Sequence, residues 1–226
     1  MYYSNIQVGV FLARPNRFVA EVLRQGEMVL CHVKNTGRCK ELLIPGAIVY
    51  INESFASKRK TKYDLIAVMK QGKLINMDSQ APNRVFCEYI EQGAFLPNLT
   101  LIKPEYQYGD SRFDFYLEQG STRHLVEVKG VTLEENGVVR FPDAPTERGV
   151  KHVNGLISAK EQGLSSWLCF IVQMSGIKCL RPNDQTHPEF GAALRAANRA
   201  GVGILALECS VTPNSLTITH SIPIQL

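Results

Sequence analysis

Residues 110–130 constrain the fold of this chain more than any other stretch, because their pattern predicts two β-strands joined by a short turn. Apolar and polar residues alternate from 112 to 117 and again from 125 to 129. The polar segment 118–122 between them contains a glycine, as hairpin connections do. The first strand is therefore expected to present two faces: Phe113, Phe115 and Leu117 on one, Arg112, Asp114 and Tyr116 on the other.

The second strand places Glu127 and Lys129 opposite Val126 and Val128, and we expect the first two to converge with Asp114. Two carboxylates and an ammonium are costly to desolvate together unless a cation or a phosphate joins them. Asp114 and Glu127 are expected to bind Mg²⁺ or Mn²⁺, with Lys129 orienting or deprotonating a water that attacks a phosphodiester. The alternative is an ordinary hairpin with solvated charges, in which Glu127 and Lys129 form a weak pair.

The N-terminal part of the chain has the pattern of a small β-barrel. Short β-rich runs at 6–12, 18–24, 28–34, 47–52 and 65–69 are separated by turns rich in proline, glycine and asparagine. Five strands at this spacing are typical of the OB type, which often binds nucleic acid. The period of the apolar residues changes from 2 to 3.6 near residue 80, and we place a domain boundary there. We therefore expect the OB-like, nucleic-acid-binding domain to span residues 1–80.

Residues 81–226 predict a second domain, in which helices flank a mixed sheet. The whole chain is therefore expected to be an α/β (α+β two-domain) protein. The first helix should begin near Pro82 and bury Val85, Phe86, Tyr89 and Ile90. Thr146 is a candidate N-cap for a second helix. Its predicted buried stripe is Val150, Val153, Leu156 and Ile157. A third helix is expected at 188–200, and strands fill the intervals.

Basic side chains in the barrel, and near the hairpin and the second helix, are candidates for contacts with nucleic-acid phosphates. The candidates in the barrel are Arg14, Arg17, Arg38, Lys58, Arg59, Lys60 and Lys62, and those near the hairpin and second helix are Arg112, Arg148, Lys151 and His152. Arg148, Lys151, His152 and Gly155 are expected on the helix face opposite the buried stripe. Other interpretations are a solvated basic loop, a barrel that only braces the second domain, and a simple Glu147–Lys151 pair on the helix.

Composition indicates the cellular compartment of the protein but not its activity. A formal net charge of +4 and a pI near 8.7 favour an acidic partner only mildly. The six cysteines show no CxxC or zinc-ligand spacing and are typical of buried thiols in a reducing cytosol. No leader-like start is present, and no stretch reaches the roughly 18 apolar residues of a membrane helix. We therefore expect a cytoplasmic protein that neither is secreted nor spans a membrane.

Ordered matches along the chain resemble the bacterial and archaeal sugar fermentation stimulation protein family. They are at residues 14–18 (RPNRF), 32–38 (HVKNTGR), 42–46 (LLIPG), 58–61 (KRKT), 111–115 (SRFDF), 126–132 (VEVKGVT), 141–149 (FPDAPTERG), 151–152 (KH) and 181–183 (RPN). The resemblance implies an N-terminal OB-type domain joined to a nuclease-like domain of the PD-(D/E)XK superfamily. It also implies DNA binding and a link to regulation of sugar (maltose) utilisation genes.

The superfamily pattern is carried over residue by residue. Its strand aspartate falls on Asp114, and its E-x-K falls on Glu127, Val128 and Lys129, which implies Val128 as a third metal-binding position. The basic positions of its following helix fall on Arg148 and Lys151. The proline that names the motif is absent, since Phe113 precedes Asp114.

Three functional hypotheses follow. The first is a Mg²⁺-dependent nuclease that binds DNA in preference to RNA through the barrel and the basic helix. The second is a non-catalytic DNA-binding transcriptional regulator that retains the nuclease fold. The third, a sugar-binding module, has little in its favour, because Trp167 is the only tryptophan and lies in an apolar run. The sequence leaves homo-oligomerisation open.

Overall fold

The N-terminal part of the chain forms a closed barrel whose strands alternate inward and outward side chains. The computed structural model describes residues 1–35, 37, 39–54 and 61–226. Its first strands are β1 (Ile6–Asn16), β2 (Val19–Arg24), β3 (Glu27–Val33), β4 (Ile48–Glu53), β5 (Tyr63–Lys70) and β6 (Lys73–Asn76). They are ordered β3-β2-β1-β4-β5-β6, and an additional parallel pairing of β3 with β5 closes the barrel. Arg38, Lys58, Arg59 and Lys60, four of the predicted nucleic-acid-binding residues, lie outside the described residues.

The five predicted strands and the barrel are confirmed, and the structure adds β6. This short strand pairs with β5 through a tight turn in which Gln71 and Gly72 both have positive φ, at 49° and 79°. Phe11, Val22 and Ile51 from three different strands are each at most 2% exposed and fill the interior. These residues belong to a buried apolar cluster that continues into the second part of the chain through Phe113 and Leu125.

The remaining elements build a large mixed sheet with helices on both faces and a separate small sheet of three strands. They are α1 (Ala81–Glu91), β7 (Leu101–Tyr108), β8 (Ser111–Gln119), β9 (Thr122–Val131), β10 (Glu134–Glu135), β11 (Val138–Phe141), α2 (Glu147–Glu161), β12 (Ser165–Val172), β13 (Cys179–Pro182), α3 (Pro188–Arg199), β14 (Gly203–Thr212) and β15 (Ser215–Ser221). The large sheet has the order β15-β14-β12-β9-β8-β7, in which β9, β12 and β14 run parallel. The predicted fold class is confirmed.

The helices cover opposite faces of the large sheet. Phe86 of α1 packs on Phe115 of β8, with ring centroids 5.6 Å apart. On the other face α2 begins at the predicted cap, where Thr146 Oγ1 accepts a hydrogen bond from the Gly149 amide at 3.0 Å. Val153 and Leu156 of α2 are fully buried, as their spacing predicts. No helix of the described ranges is long and apolar enough to cross a membrane.

A buried polar network joins the barrel to the large sheet. Gln173, which follows β12, donates from Nε2 to Asn76 Oδ1 at 2.9 Å and to the Asp78 carbonyl at 3.0 Å. The Asn76 side chain donates from Nδ2 to the Tyr3 hydroxyl at 3.1 Å. The backbone N–H of Asn76 donates to the backbone carbonyl of Gln173 at 2.9 Å. Gly130 is required nearby, since a Cβ there would lie 2.6 Å from Gln173 Oε1. The network fixes the barrel beside the end of β9. The assignment of functions to 1–80 and 81–226 stays a prediction.

Replacing Gln173 with leucine is expected to lower the free energy of unfolding by about 1–3 kcal/mol, because Asn76 and the Asp78 carbonyl would lose a buried donor. Urea denaturation followed by circular dichroism measures this change. The matched control is Gln107→Leu on β7, where the glutamine is exposed. The control should shift the value by less than about 0.5 kcal/mol. Equal stability of both variants would show that the network does not hold the two parts together.

Candidate metal and nucleic-acid site

Asp114 occupies a break in the pairing between β8 and β9. The antiparallel register runs from Gln119↔Thr122 to Phe115↔Val126 and ends there. Beyond it, Asp114 Oδ2 accepts a hydrogen bond from the Val128 amide at 2.7 Å. Its other oxygen, Oδ1, accepts from Asn83 Nδ2 of α1 at 2.6 Å. The carboxylate thus takes the place of a strand partner and is held from two sides.

The same break corrects one prediction about β8. Phe113 and Phe115 were expected on one face, but Phe115 packs on Phe86 of α1 whereas Phe113 lies 5.6 Å from the His152 ring of α2. Strict alternation requires a regular strand, and the ladder stops between these two residues. The alternation predicted for β9 agrees with the structure.

Glu127 lies at the centre of the site. It is 2% exposed, and its Oε1 accepts a hydrogen bond from Lys129 Nζ at 2.5 Å and contacts His152 Nδ1. Its Oε2 is buried and has no hydrogen-bond partner among the described residues. Burial raises the pKa of Glu127, but the hydrogen bond from His152 and the charge of Lys129 outweigh it and hold the pKa below its ordinary value. Glu127 is therefore an anion with one oxygen to spare.

His152 corrects a second prediction. It was expected with Arg148 and Lys151 on the face opposite the buried stripe, but it is 5% exposed and packs against the sheet. Gly155 lies on the same stripe, where a Cβ would come within 2.9 Å of Phe113 Cζ. The stripe of α2 that faces the sheet is therefore broader than the apolar residues alone indicate. Its polar member, His152, is accommodated because Glu127 meets it there.

The tautomer of His152 follows from its neighbours. Arg148 Nε lies 3.4 Å from His152 Nε2, and a guanidinium can only donate. Nε2 is then the acceptor and Nδ1 carries the proton that is donated to Glu127 Oε1. A chain of donors runs from Arg148 through His152 to Glu127 and fixes the orientation of this carboxylate.

The charged form of Asp114 is disfavoured by its burial and by the neighbouring Glu127 carboxylate. Burial first, and then the charge of Glu127, raise the pKa of Asp114 to about 6. The hydrogen bonds from the Val128 amide and Asn83, and the charge of Lys129, offset part of this rise. A cation beside both carboxylates would remove the repulsion.

The donor set fits a hard cation that keeps part of its water. Within 1–35, 37, 39–54 and 61–226 no three His, Cys, Asp or Glu side chains are grouped as a metal cluster. Asp114 and Glu127 offer two carboxylates, and Val128 lines the same cleft of about 470 Å³. Mg²⁺ requires only one or two protein carboxylates, and the spare Glu127 oxygen gives it a ready ligand.

The basic residues near the site are positioned differently from one another. Arg148 lines the cleft and is exposed. Arg112 also lines it and pairs with Glu105 at 2.9 Å. Lys151 is half exposed, pairs with Asp110 at 3.1 Å and lies outside the cleft lining. Arg148 and Arg112 are thus the predicted phosphate contacts that the structure brings to the carboxylates.

The described basic residues of the barrel make contacts within the protein. Arg14 donates to the backbone carbonyls of Gly37, Arg17 and Asn35 at 3.0, 2.6 and 2.8 Å. Arg17 lies over the ring of Phe18, 4.8 Å from its centroid. Lys62 pairs with Glu53 at 2.7 Å. None of the three lines the cleft.

Sequence reasoning missed several residues of the cleft, two of which lie at or just before the start of α1. Asn83 in the first turn of α1 orients Asp114, and Ser79 before α1 lines the cleft wall. A polar residue just inside a helix start gives no local sign of a partner 31 residues away. Their part depends on how α1 docks on the sheet, which no local pattern specifies.

The barrel and the cleft that contains Asp114, Glu127 and Lys129 define a two-domain protein. In this protein an OB barrel precedes a mixed sheet flanked by helices. Family models described as the SfsA N-terminal OB domain and the Sugar fermentation stimulation protein RE domain match residues 12–77 and 80–215. The chain therefore belongs to the sugar fermentation stimulation protein family.

Curated relatives match the chain over its whole length. Sugar fermentation stimulation protein homologs from Desulfitobacterium hafniense (strain Y51) and Ruminiclostridium cellulolyticum are 54% and 50% identical over 226 residues. The alignment covers 100% of this chain in both cases, and 99% and 100% of the relatives. Among solved structures, Pyrococcus furiosus SfsA in complex with Ca²⁺ has a TM-score of 0.91 and 28% identity, covering 100% of this chain and 98% of that one.

Asp114→Asn is expected to raise the free energy of unfolding by about 1–2 kcal/mol at pH 8 and to change it little near pH 4. The pKa of Asp114 is raised from 3.8 when unperturbed to about 6 in the fold. The folded state therefore holds this proton more tightly, and stability is lost as the pH rises from 4 to 6. Asparagine keeps an oxygen for the Val128 amide but carries no charge.

Denaturation at both pH values in the presence of a chelator measures this difference. Asp110→Asn is the matched control, because Lys151 lowers the pKa of the exposed Asp110 and its loss should not stabilise the fold at pH 8. An Asp114→Asn effect of equal size at pH 4 and pH 8 would contradict the repulsion between the two carboxylates.

Proposed function

We propose that this protein is a divalent-metal-dependent nuclease that hydrolyses phosphodiester bonds, with DNA as the favoured substrate. The observation that carries the proposal is the meeting of Asp114, Glu127 and Lys129 in one cleft, with a buried Glu127 oxygen that has no described partner. Such a cluster costs stability unless a ligand compensates it.

Asp114, Glu127 and the backbone carbonyl of Val128 are the groups that would hold Mg²⁺ or Mn²⁺. The ion would supply a lowered pKa for an attacking water and charge stabilisation for the phosphate. A relative with 28% identity was solved in complex with Ca²⁺, another hard cation that prefers oxygen ligands. That complex supports a divalent site in this chain.

Lys129 is suited to act on the water or on the phosphate. An ammonium has three N–H donors, and its described contact with Glu127 Oε1 uses one of them. The remaining donors can hold a water or a non-bridging phosphate oxygen, where the positive charge opposes the negative charge that develops during attack.

Arg148 and His152 complete the site through different contacts. His152 holds Glu127 by its Nδ1 proton and is almost fully buried, so we assign it to orienting the carboxylate. Arg148 is exposed at the start of α2 and can bind a substrate phosphate with donors that its contact to His152 does not use. Arg112 lies across the same cleft.

Glu127→Gln is expected to abolish cleavage and to weaken Mn²⁺ or Mg²⁺ binding by about tenfold or more, because the amide removes the charge and one ligand oxygen. Isothermal titration with Mn²⁺ and incubation with single- and double-stranded DNA and RNA give the two readouts. Asp114→Ala and Lys129→Ala should also abolish cleavage. Glu118→Gln is the matched control, because Glu118 lies on β8 outside the cleft lining.

The outcomes separate the enzyme from a binding protein. Metal binding lost in Glu127→Gln together with cleavage by the wild type supports the proposal. If pure, metal-replete wild type cuts none of the four substrates but binds duplex DNA, the protein is the non-catalytic regulator. Mn²⁺ binding that Glu127→Gln leaves intact would place the ion elsewhere.

Arg148→Ala is expected to weaken DNA binding alike for different sequences and to reduce the slope of log affinity against log salt by about 1, since one phosphate contact is lost. Fluorescence anisotropy in a chelator measures binding without cleavage. Arg195→Ala serves as control, because Arg195 pairs with Asp184 and lies outside the cleft lining. An unchanged slope would remove Arg148 from the interface, and tighter binding of RNA than DNA would reverse the substrate preference.

A further inference from the structure

A small polar pocket adjoins the cleft at the junction of the barrel and the second domain. It encloses about 110 Å³, and Ser79 and Phe141 line both spaces. We name it the junction pocket, and its other lining residues are Asn35, Gly130, Val131, Thr132, Leu133, Arg140, Asp143 and Gln173. Gly130 directly follows Lys129 on β9, so the pocket begins one residue beyond the site on the same strand.

A buried acceptor of fixed orientation lines the junction pocket. Gln173 is 2% exposed, and both N–H groups of its amide are used, by Asn76 Oδ1 at 2.9 Å and by the Asp78 carbonyl at 3.0 Å. The amide therefore cannot turn over, and no described residue donates to its Oε1. A Cβ at residue 130 would lie 2.6 Å from this oxygen, so the glycine keeps the space in front of it open. A buried acceptor is normally paired, which indicates a ligand that donates to Oε1.

Two donors of the junction pocket are also without a partner in the described ranges. Arg140 of β11 is partly buried, and its guanidinium makes no hydrogen bond or ion pair there. Thr132 is 8% exposed, and its hydroxyl likewise meets no described partner. A guanidinium only donates, whereas a hydroxyl donates or accepts. The pocket thus offers an acceptor and donors within one small space.

A nucleobase fits this lining better than a phosphate does. Asp143 and Gln173 Oε1 are acceptors that would repel phosphate oxygens, and Arg140 is the one cation among the described lining residues. The edge of a base instead carries donors and acceptors next to one another. An amino group of the base can donate to Gln173 Oε1, while Arg140 donates to a ring nitrogen or carbonyl oxygen beside it.

The shape and position of the junction pocket also fit a base. Phe141 supplies an aromatic wall of the kind on which unstacked bases pack, and its ring is held by Phe170 and Phe190, 5.4 and 5.0 Å away between centroids. The volume equals that of about four water molecules at roughly 30 Å³ each, enough for one planar ring system. A strand advances about 3.3 Å per residue, so Val131 lies roughly 7 Å beyond Lys129, which a nucleotide next to the reacting phosphate can span.

We propose that the junction pocket binds one unstacked nucleobase of the substrate strand and selects a base with an exocyclic amino group. Cytosine presents an amino donor beside two acceptors, which match Gln173 Oε1 and Arg140. Thymine, of the same ring size, has a carbonyl where cytosine has the amino group, and this carbonyl would face the Gln173 oxygen. A base stacked in a duplex cannot enter, so the favoured substrate is single-stranded. The inference rests on the proposed function and adds the form of its substrate.

Fluorescence anisotropy in a chelator, with DNA single strands of about ten deoxycytidines or ten thymidines, tests the proposal with the full chain. The two strands carry equal numbers of phosphates, so phosphate contacts cancel in the ratio of their affinities. The wild type should bind the deoxycytidine strand about tenfold more tightly. Arg140→Met and Thr132→Val, tested separately, should each reduce this ratio about threefold or more, because each removes a hydrogen bond to the base edge. Neither polar group has a described partner in the protein, so the fold should survive, and circular dichroism verifies this.

Arg181→Met is the matched control, because Arg181 is exposed, pairs in register with Arg140 on the neighbouring strand and lies outside the pocket lining. It removes the same charge and should leave the ratio unchanged. Equal affinity of the wild type for the two strands overturns the proposal, and so does a ratio that neither pocket variant changes. An Arg140→Met variant that weakens both strands equally overturns it too, because Arg140 would then bind a phosphate.

Incubation of the same strands with Mn²⁺ separates this inference from the proposed function. Cleavage by a wild type that does not distinguish the strands retains the nuclease and rejects the base pocket. A base preference that depends on Arg140, in a protein that cuts neither strand, retains the pocket and rejects the nuclease.

Discussion

The repulsion between two buried carboxylates is the constraint around which the second domain is arranged. Glu127 is 2% exposed, and its charge adds to burial in raising the pKa of Asp114. Each carboxylate is held by groups from different elements: the Val128 amide and Asn83 for Asp114, Lys129 and His152 for Glu127. A chain selected for stability alone would replace this cluster with apolar residues. A cation bound as proposed above would offset this cost.

The two helices that sandwich the sheet are also what orient the site. α1 supplies Asn83 from one face and α2 supplies His152 from the other, so each carboxylate is fixed by the helix that packs on its side. The β8–β9 ladder ends at Phe115, on the side towards Asp114. This end permits the arrangement, because in an unbroken ladder the Val128 amide would bond to the β8 backbone instead of to Asp114. Packing and site geometry are therefore not separable here. Movement of either helix would loosen a carboxylate.

Local patterns in the sequence predict the elements well and the contacts between them poorly. The alternation from Leu125 to Lys129 places Glu127 correctly, and Thr146 caps its helix as expected. Phe113 was misplaced because the end of a strand ladder depends on the neighbouring chain. His152 was misplaced because a polar residue on a helix is expected in solvent unless its partner is known, and Glu127 is 25 residues away. The Gln173–Asn76 contact spans 97 residues and has no local signature at all.

The described cations of the barrel are engaged by the protein itself, unlike the exposed arginine of the cleft. Arg14 is bonded to three backbone carbonyls, so it would have to exchange protein partners for phosphates in order to bind DNA. Arg148 is exposed in the cleft itself and needs no such exchange. Under the proposed function, binding energy for a charged strand would be concentrated near the carboxylates, where it could act on the reacting phosphate.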